Sequence, residues 1–145
     1  MPLIFRAVLR DDHDGKPVVG AAGTKLGARL PPDPRADIPV KMEGSVESKK
    51  GGMSVTPRWR DLPGHRVPKR LKSIFPAATG SNSLHLWKMG DGDFLDSPVT
   101  TELNLRLDPK KPTTHGFVEP AFKMSAADYQ AAIAATRDAW VIDET

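Results

Sequence analysis

Two charged side chains lie among apolar neighbours, a setting in which charged groups take on binding or chemical roles. Arg6 stands in the middle of the apolar run 3–9, and Glu119 stands between Val118 and Pro120. An isolated charge in apolar surroundings is costly, so Arg6 is either ion-paired, exposed at a strand edge, or bound to an anion through its planar fork. Glu119 is either a solvated carboxylate at a strand end or a partly desolvated one suited to catalysis.

Two further polar side chains could contribute to the same chemistry. Ser54 follows Gly51 and Gly52 at the start of a short β-prone run. Small residues allow a ligand to approach the backbone while a hydroxyl binds it, although a turn serine is the commoner explanation. His115 precedes Glu119 by four positions, so on a strand both side chains would point to the same side. The spacing leaves open whether His115 orients Glu119 or binds a ligand itself.

Several other chemistries are excluded by the residues that the chain lacks. It has no cysteine, so disulfides, thiol nucleophiles and cysteine-ligated zinc are excluded. Its four histidines show no paired zinc-ligand spacing, and the aspartates of residues 91–96 lack the pattern of a calcium loop. The phosphate-binding loop, the dinucleotide glycine fingerprint and the Gly-x-Ser-x-Gly elbow are also missing. We therefore expect no metal site.

Positive charge is concentrated in residues 58–72, which we call the basic loop. It holds six Arg and Lys residues against a single acid, Asp61, and it contains Trp59. Charge beside an aromatic ring is compatible with nucleic-acid binding. A solvated loop or a docking surface for an acidic protein is the commoner outcome for such a segment. The net charge of +3 favours anionic partners without choosing among them.

The elements that position these residues are mostly short strands. Apolar runs and two-residue alternation predict strands at residues 3–9, 53–56, 83–88, 103–107 and 115–119. Prolines interrupt every helical window of residues 16–50, which predicts a long loop. One helix is expected after Ser125, a good N-cap, because apolar or small residues recur at helical spacing at Tyr129, Ile133, Thr136 and Trp140.

The length and composition suit one domain, residues 1–145. The chain is 39% hydrophobic and contains 14 Pro and 12 Gly, which predicts a compact β-rich domain with long loops. The N-terminus lacks the pattern of a signal peptide, and no apolar run is long enough to span a membrane. We expect a cytoplasmic site of action and no membrane partner; delivery into a recipient cell would need a route without a cleaved signal peptide.

Three ordered segments resemble a known family. Segments of the Tse-type type VI secretion effector toxins are similar to three segments of this chain in order and approximate spacing. The three segments are residues 5–8 (Phe-Arg-Ala-Val), residues 51–55 (Gly-Gly-Met-Ser-Val) and residues 114–124, which begin with Thr-His-Gly and end with Pro-Ala-Phe-Lys-Met. The resemblance implies an α+β, ADP-ribosyltransferase-like fold with small, mostly antiparallel sheets, a C-terminal helix and long Pro-rich loops.

The resemblance also implies NAD as the substrate, bound in a cleft between two sheets. Arg6 would hold the nicotinamide-side ribose or the phosphates, and Ser54 would support the strand of Arg6 and contact the same ribose. Glu119 corresponds to the late glutamate of the wider ADP-ribosyltransferase pattern, so it would bind the ribose 2′-hydroxyl and stabilise the positive charge that develops as neutral nicotinamide leaves. By the same resemblance, Arg6, Ser54 and Glu119 form the catalytic set, while Arg6, Ser54 and His115 bind the cofactor together with Gly51 and Gly52.

These observations predict a bacterial cytotoxic effector that transfers ADP-ribose to a protein or nucleic-acid acceptor, or that cleaves NAD. A cognate immunity protein is the expected partner. Two alternatives stay open at this point. One is a non-enzymatic module whose basic loop binds nucleic acid or an acidic protein, and the other is an immunity or accessory protein of a toxin locus.

Overall fold

The computed structural model describes all 145 residues and shows an α+β chain with nine short strands and one α-helix. This confirms the predicted class, in which small antiparallel sheets accompany a C-terminal helix. The elements are β1 Ile4–Leu9, β2 Ser45–Val46, β3 Met53–Val55, β4 Leu84–Met89, β5 Ser97–Pro98, β6 Leu103–Leu107, β7 Gly116–Pro120, β8 Met124–Ser125, α1 Ala126–Ala134 and β9 Val141–Ile142.

The strands form three antiparallel sheets. One has the order β1-β4-β9, a second has the order β3-β7-β6-β5, and β2 pairs with β8. The two larger sheets are joined where Phe5 and Thr56 exchange backbone hydrogen bonds, with N–O distances of 2.7 and 3.1 Å. The end of β3 therefore lies directly beside β1, and side chains from both sheets meet at this junction.

The four-stranded sheet has one apolar and one polar face because its strands alternate in register. Leu103, Leu105 and Val118 are buried on the core side. On the opposite side, Phe117 pairs with Ser54 on one neighbouring strand and with Arg106 on the other, and Glu119 pairs with Asn104. Cross-strand partners project to the same side of a sheet. The polar face therefore collects most of the residues that the sequence marked as candidates.

Strand β1 is buried on both faces, which explains its nearly continuous apolar sequence. Ile4 and Val8 belong to the main core of 17 buried residues, together with Ile133 and Trp140. Phe5 and its neighbours on the other face belong to a second cluster of six, which packs beneath the basic loop. Arg6 lies on the same side of β1 as Ile4 and Val8, so its charge enters the protein interior.

The helix begins as predicted, but it ends before the last two residues, Thr136 and Trp140, of the stripe that was expected to lie on it. Ser125 Oγ accepts a hydrogen bond from the backbone N–H of Asp128 at 3.0 Å, which caps the first turn. After Ala134 the chain continues into a turn of 3₁₀-helix, Arg137–Ala139. Thr136 and Trp140 are nevertheless buried, so the stripe correctly marks the core-facing side although half of it lies beyond α1.

The loops follow the proline pattern, with one difference. Residues 16–50 contain no helix and only the two-residue strand β2, as predicted. The basic loop, in contrast, folds into three short 3₁₀-helices, Trp59–Asp61, Gly64–Arg66 and Lys69–Leu71. A proline precedes the second and the third, where it fixes φ and leaves the first turn intact. None of the helices has the length and apolar character needed to cross a lipid bilayer.

Candidate functional site

A cavity of about 520 Å³ opens at the junction of the two larger sheets. This volume lies within the range of roughly 300–1,000 Å³ typical of ligand pockets. Its wall includes Arg6 from β1, Ser54 from β3 and His115 just before β7. Three of the candidates identified in the sequence are therefore brought together by the fold, although 48 and 61 positions separate them along the chain.

Arg6 is held by backbone carbonyl groups rather than by a carboxylate. Its Nη1 donates to Ser54 O at 2.9 Å, Nε and Nη2 both donate to Lys25 O at 3.1 Å, and Nη2 also donates to Gly27 O at 3.2 Å. Only 6% of the residue is exposed. Burial lowers the pKa of its guanidinium, and the positive charges of Arg66 and Arg29 act in the same direction. None of its contacts is an ion pair, so the site holds a buried positive charge without a neutralising contact.

A second arginine of the cavity wall is neutralised. Arg29 forms a two-pronged ion pair with Asp37, with Nη2–Oδ1 and Nε–Oδ2 distances of 2.9 and 3.3 Å. The same carboxylate accepts the backbone N–H of Arg29 at 2.6 Å. Such forked, charge-assisted contacts fix the position of both partners. Asp37 thus anchors the loop that carries Arg29 against the cavity.

Arg66 is the arginine of the wall that makes neither an ion pair nor a side-chain hydrogen bond with the protein. Its guanidinium lies against Gly23, where a Cβ atom would approach Nη2 to 2.3 Å and displace the end of the side chain. Desolvation lowers the pKa of Arg66, followed by the charges of Arg29 and Arg35. A half-buried cation beside other cations is a strong candidate for binding an anion.

His115 and Asp108 form a hydrogen-bonded pair on the opposite part of the wall. His115 Nδ1 lies 2.8 Å from Asp108 Oδ2, and the imidazole packs edge-on against Phe117 with ring centroids 4.9 Å apart. The pKa of Asp108 is lowered by the backbone N–H of Lys110 and then by His115. An ionised Asp108 accepts the proton on Nδ1 and leaves Nε2 of a neutral His115 as an acceptor.

Ser54 lies between these groups on the edge strand β3. Its carbonyl accepts the hydrogen bond from Arg6, and its side chain is half-buried in the cavity wall on the same sheet face as Phe117. It therefore physically joins the strand of Arg6 to the polar face of the four-stranded sheet. Its hydroxyl makes no hydrogen bond to the protein, so it is free to bind a ligand.

Glu119 lies on the same sheet face but outside the cavity wall. Its Oε2 accepts from the backbone N–H of Lys49, a residue with φ of 66°, and from Arg106 Nε at 3.3 Å. The ring of Phe117 and the Arg106 guanidinium, which lie 5.0 Å apart, stand between Glu119 and His115. The carboxylate is buried, as its neighbours suggest, and it stabilises a left-handed turn and an ion pair.

Gly51 and Gly52 also lie outside the cavity wall. Because they have no side chain, the backbone of other residues, rather than a ligand, packs closely against them. A Cβ atom on Gly51 would lie 2.2 Å from Asp37 O, and one on Gly52 would lie 2.4 Å from Val118 O. Both have positive φ values, 124° and 156°. The glycine pair is needed for the turn into β3, and through that turn for the position of Ser54.

The cavity wall is more positive than negative. It contains four permanent cations, Arg6, Arg29, Arg66 and Lys111, and two carboxylates, Asp61 and Asp108. An excess of one sign of charge in a cavity wall attracts ions of the opposite sign. No cluster of three or more His, Asp and Glu side chains has the arrangement that a metal ion would need. The site is therefore suited to an anionic organic ligand.

The basic loop divides between this cavity and the surface. Arg66 and His65 line the cavity, while Arg58 and Arg70 are ion-paired with Asp61 and Glu144. Arg60 lies over the Trp59 ring with its guanidinium carbon 4.4 Å from the centroid. Two lysines, Lys69 and Lys72, stay exposed without an ion pair. The cations of the basic loop are thus divided between the cavity wall, two ion pairs and the exposed surface.

Sequence reasoning missed three residues of the site. Arg29 and Asp108 stand in loop sequences with no motif around them, and Arg66 was counted only as part of a charged segment. The sequence does not reveal which arginine of the basic loop lacks an ion pair. The carboxylates that neutralise Arg58 and Arg70 are Asp61, 5 residues before Arg66, and Glu144, 78 residues after it, and only the fold shows which arginine each one contacts.

The sequence matches no protein-family model and no curated protein, so these comparisons add no family to the geometry.

Proposed function

We propose that the protein binds NAD in this cavity and cleaves the bond between nicotinamide and ribose, as an ADP-ribosyltransferase-like enzyme. The observation that carries the proposal is the unpaired Arg66 guanidinium beside Arg29 and the buried Arg6. Two phosphates of a dinucleotide supply the negative charge that Arg66 and Arg6 lack, and guanidinium groups bind phosphate with matched geometry.

The position of the cavity supports the same proposal. It lies where two small antiparallel sheets meet, with Arg6 contributed by one sheet and Ser54 by the other. ADP-ribosyltransferases, the broader family whose fold the resemblance implies, bind NAD between two such sheets. Arg6 Nη1 donates a hydrogen bond to the carbonyl oxygen of Ser54, and this contact supports placing both residues at the same ligand. Arg66 and Arg29 are then the phosphate-side residues of the site.

The reaction needs stabilisation of the positive charge that develops on the ribose. Within the cavity, carboxylates come from Asp108 and Asp61, whereas Glu119 is engaged with Lys49 and Arg106. In this arrangement Glu119 holds the sheet face on which His115 and Phe117 stand. For Glu119 to contact the ribose directly, its carboxylate must give up its hydrogen bonds to Lys49 and Arg106. A Glu119→Gln variant distinguishes a catalytic role, in which NAD turnover falls, from a structural role, in which the free energy of unfolding falls.

The biological role that follows is intoxication of a cell by depletion of NAD or by ADP-ribosylation of a protein or nucleic acid. This role rests on the resemblance to the effector toxins. A cognate immunity protein would then neutralise the enzyme, most simply by covering the cavity. An accessory or immunity function of the chain itself predicts instead that its expression leaves growth unaffected.

The test is turnover of labelled NAD by purified protein, with and without bacterial lysate. Arg66→Ala is the informative variant, and Arg60→Ala is the matched control because Arg60 lies outside the cavity wall. A charged hydrogen bond contributes about 1.5–3 kcal/mol, so Arg66→Ala should reduce nicotinamide release roughly 10- to 100-fold. Arg60→Ala should retain the rate of the wild type. Expression of the wild type and of Arg60→Ala should arrest growth, and expression of Arg66→Ala should arrest it less.

Two outcomes contradict the proposal. One is the absence of nicotinamide release by folded wild-type protein in the presence of lysate. The other is an equal loss of activity in Arg66→Ala and Arg60→Ala, which would locate the relevant charge outside the cavity.

A further inference from the structure

The hydrogen-bonded pair of His115 and Asp108 lines the cavity wall and is separate from the arginines proposed above to bind the phosphates. We propose that His115 is the proton acceptor for the hydroxyl or water that attacks the ribose of NAD, and that Asp108 is its positioning residue. This inference rests on the proposed NAD-cleaving function and adds to it the identity of the general base.

The imidazole is fixed by contacts on several sides. Asp108 Oδ2 holds Nδ1 at 2.8 Å, and the Phe117 ring packs edge-on against the imidazole. Asp108 is itself fixed, because it accepts the Lys110 N–H at 2.9 Å and donates its own N–H to His115 O at 3.0 Å. A base whose orienting partner is anchored to the backbone matches the arrangement of activated catalytic histidines.

The tautomer follows from these contacts. Because the ionised Asp108 accepts the Nδ1 proton, the lone pair of neutral His115 resides on Nε2, the nitrogen not engaged by the protein. His115 lines the cavity together with Ser54 and Arg66. A nucleophile bound in the cavity can therefore transfer its proton to Nε2 without displacing an existing hydrogen bond.

The proposed step balances as follows. The glycosidic C–N bond of NAD breaks, and nicotinamide leaves as a neutral molecule with the bonding electron pair. The oxygen of water or of an acceptor hydroxyl forms the new bond to the same ribose carbon. The proton of that oxygen passes to Nε2 of His115 and then to solvent, so the enzyme returns to its starting state.

The cavity wall places charged groups of both signs near His115. The titratable and charged groups that face His115 are Asp108 and Lys111 on its own hairpin, Arg6 on β1, Arg29 in the long loop, and Asp61, His65 and Arg66 in the basic loop.

A purely structural role is the competing explanation, because the pair also closes the hairpin between β6 and β7. The chain offers a matched control for this. His85 lies 3.3 Å from Glu144 through its Nδ1, so it is a second histidine–carboxylate pair, and it is outside the cavity wall. His85→Gln removes a second histidine near a carboxylate, one whose Nδ1 also lies 3.3 Å from Arg70 Nη2, without touching the proposed site.

The experiment measures NAD affinity, single-turnover nicotinamide release and thermal unfolding for His115→Gln, Asp108→Asn and His85→Gln. His115→Gln should keep the dissociation constant for NAD within about threefold, while the rate falls roughly 10²- to 10⁴-fold, the usual contribution of a general base. Asp108→Asn should lower kcat about tenfold or more with little change in KM. His85→Gln should match the wild type.

The pH profile supplies a readout that a hairpin tie would not change. Wild-type turnover should rise with pH across the range in which imidazoles lose their proton, and His115→Gln should lose that rise. A wild-type profile that is flat over this range overturns the inference even if His115→Gln fails to fold. Normal turnover by His115→Gln, with Arg66→Ala inactive, overturns it while leaving the NAD function intact. No turnover by the wild type overturns both.

Discussion

At the scale of single residues, the fold gives two arginines opposite roles. Arg6 donates to three backbone carbonyls at 2.9–3.2 Å and ties β1 to Ser54 and to the loop around Lys25. Arg66 makes no such contacts. Sequence reasoning could identify Arg6, because a charge inside an apolar strand is conspicuous. It could not identify Arg66, because freedom from partners is a property of the tertiary structure.

Arg6→Ala should therefore act mainly on stability. The substitution leaves buried carbonyl oxygens of Ser54, Lys25 and Gly27 without donors, and each such group costs about 1–3 kcal/mol. We expect the free energy of unfolding to fall by about 3 kcal/mol or more, measured by urea denaturation. Arg60→Ala, an exposed control, should change it by less than about 0.5 kcal/mol. A stable Arg6→Ala variant that fails only to bind NAD would contradict this role.

The burial of the Tyr129 hydroxyl can be tested by measuring the pH at which the phenol loses its proton. It is the single tyrosine of the chain, and its hydroxyl donates to Val118 O and accepts from Met53 N. Burial raises the pKa of the phenol well above its ordinary value of 10.0. The folded state thus holds the proton more tightly than the unfolded state. This contribution to stability is complete below pH 10 and is lost as the pH rises toward the folded-state pKa.

Tyrosinate absorbance measures this directly, with Tyr129→Phe as the blank. We expect no tyrosinate near pH 10 while the near-ultraviolet circular dichroism stays native, and its appearance only together with unfolding. Titration with an ordinary midpoint in the folded protein would show that the hydroxyl is not buried between β3 and β7.

At the scale of elements, alternation in the sequence located the longer strands to within one or two residues. Leu103–Leu107 coincides with its predicted bounds, and the Ser125 cap marks the start of α1. The division of the basic loop into 3₁₀-helices was not predictable, because its packing on Phe5 and Leu86 depends on contacts distant in sequence. The glycine pair before β3 was predicted to bind a ligand, and in the fold it packs closely against the backbone of Asp37 and Val118.

Gly52→Ala tests that packing. A Cβ atom at this position would lie 2.4 Å from Val118 O, so β3 and β7 must separate. We expect a loss of about 3 kcal/mol from the overlap together with the unfavourable φ. Gly44→Ala is the matched control, because Gly44 has φ of 89° but no atom within 4 Å of the added Cβ, and it should cost only about 1 kcal/mol. Equal costs in urea denaturation would exclude the close approach.

At the scale of the whole molecule, the two larger sheets join at Phe5 and Thr56 and leave a positively charged cavity beside the junction. The fold class was predictable from short strands, prolines and one capped helix. The cavity was predictable only in part, because Arg6, Ser54 and His115 come from known strands but Arg29, Arg66 and Asp108 come from loops whose paths no local pattern determines. Ion pairs neutralise two of the six cations of the basic loop, Arg58 and Arg70.

The most direct test of the account is calorimetric titration of NAD into the wild-type protein, Arg66→Ala and Arg60→Ala. We expect saturable binding at a single site in the wild type, weakened roughly 10- to 100-fold by Arg66→Ala and unchanged by Arg60→Ala. Added salt should weaken wild-type binding more than binding by Arg66→Ala, because one phosphate contact is already missing in the variant. Absence of binding to the folded wild type, or equal affinities of the wild type and Arg66→Ala, would contradict the assignment of the cavity as an NAD site.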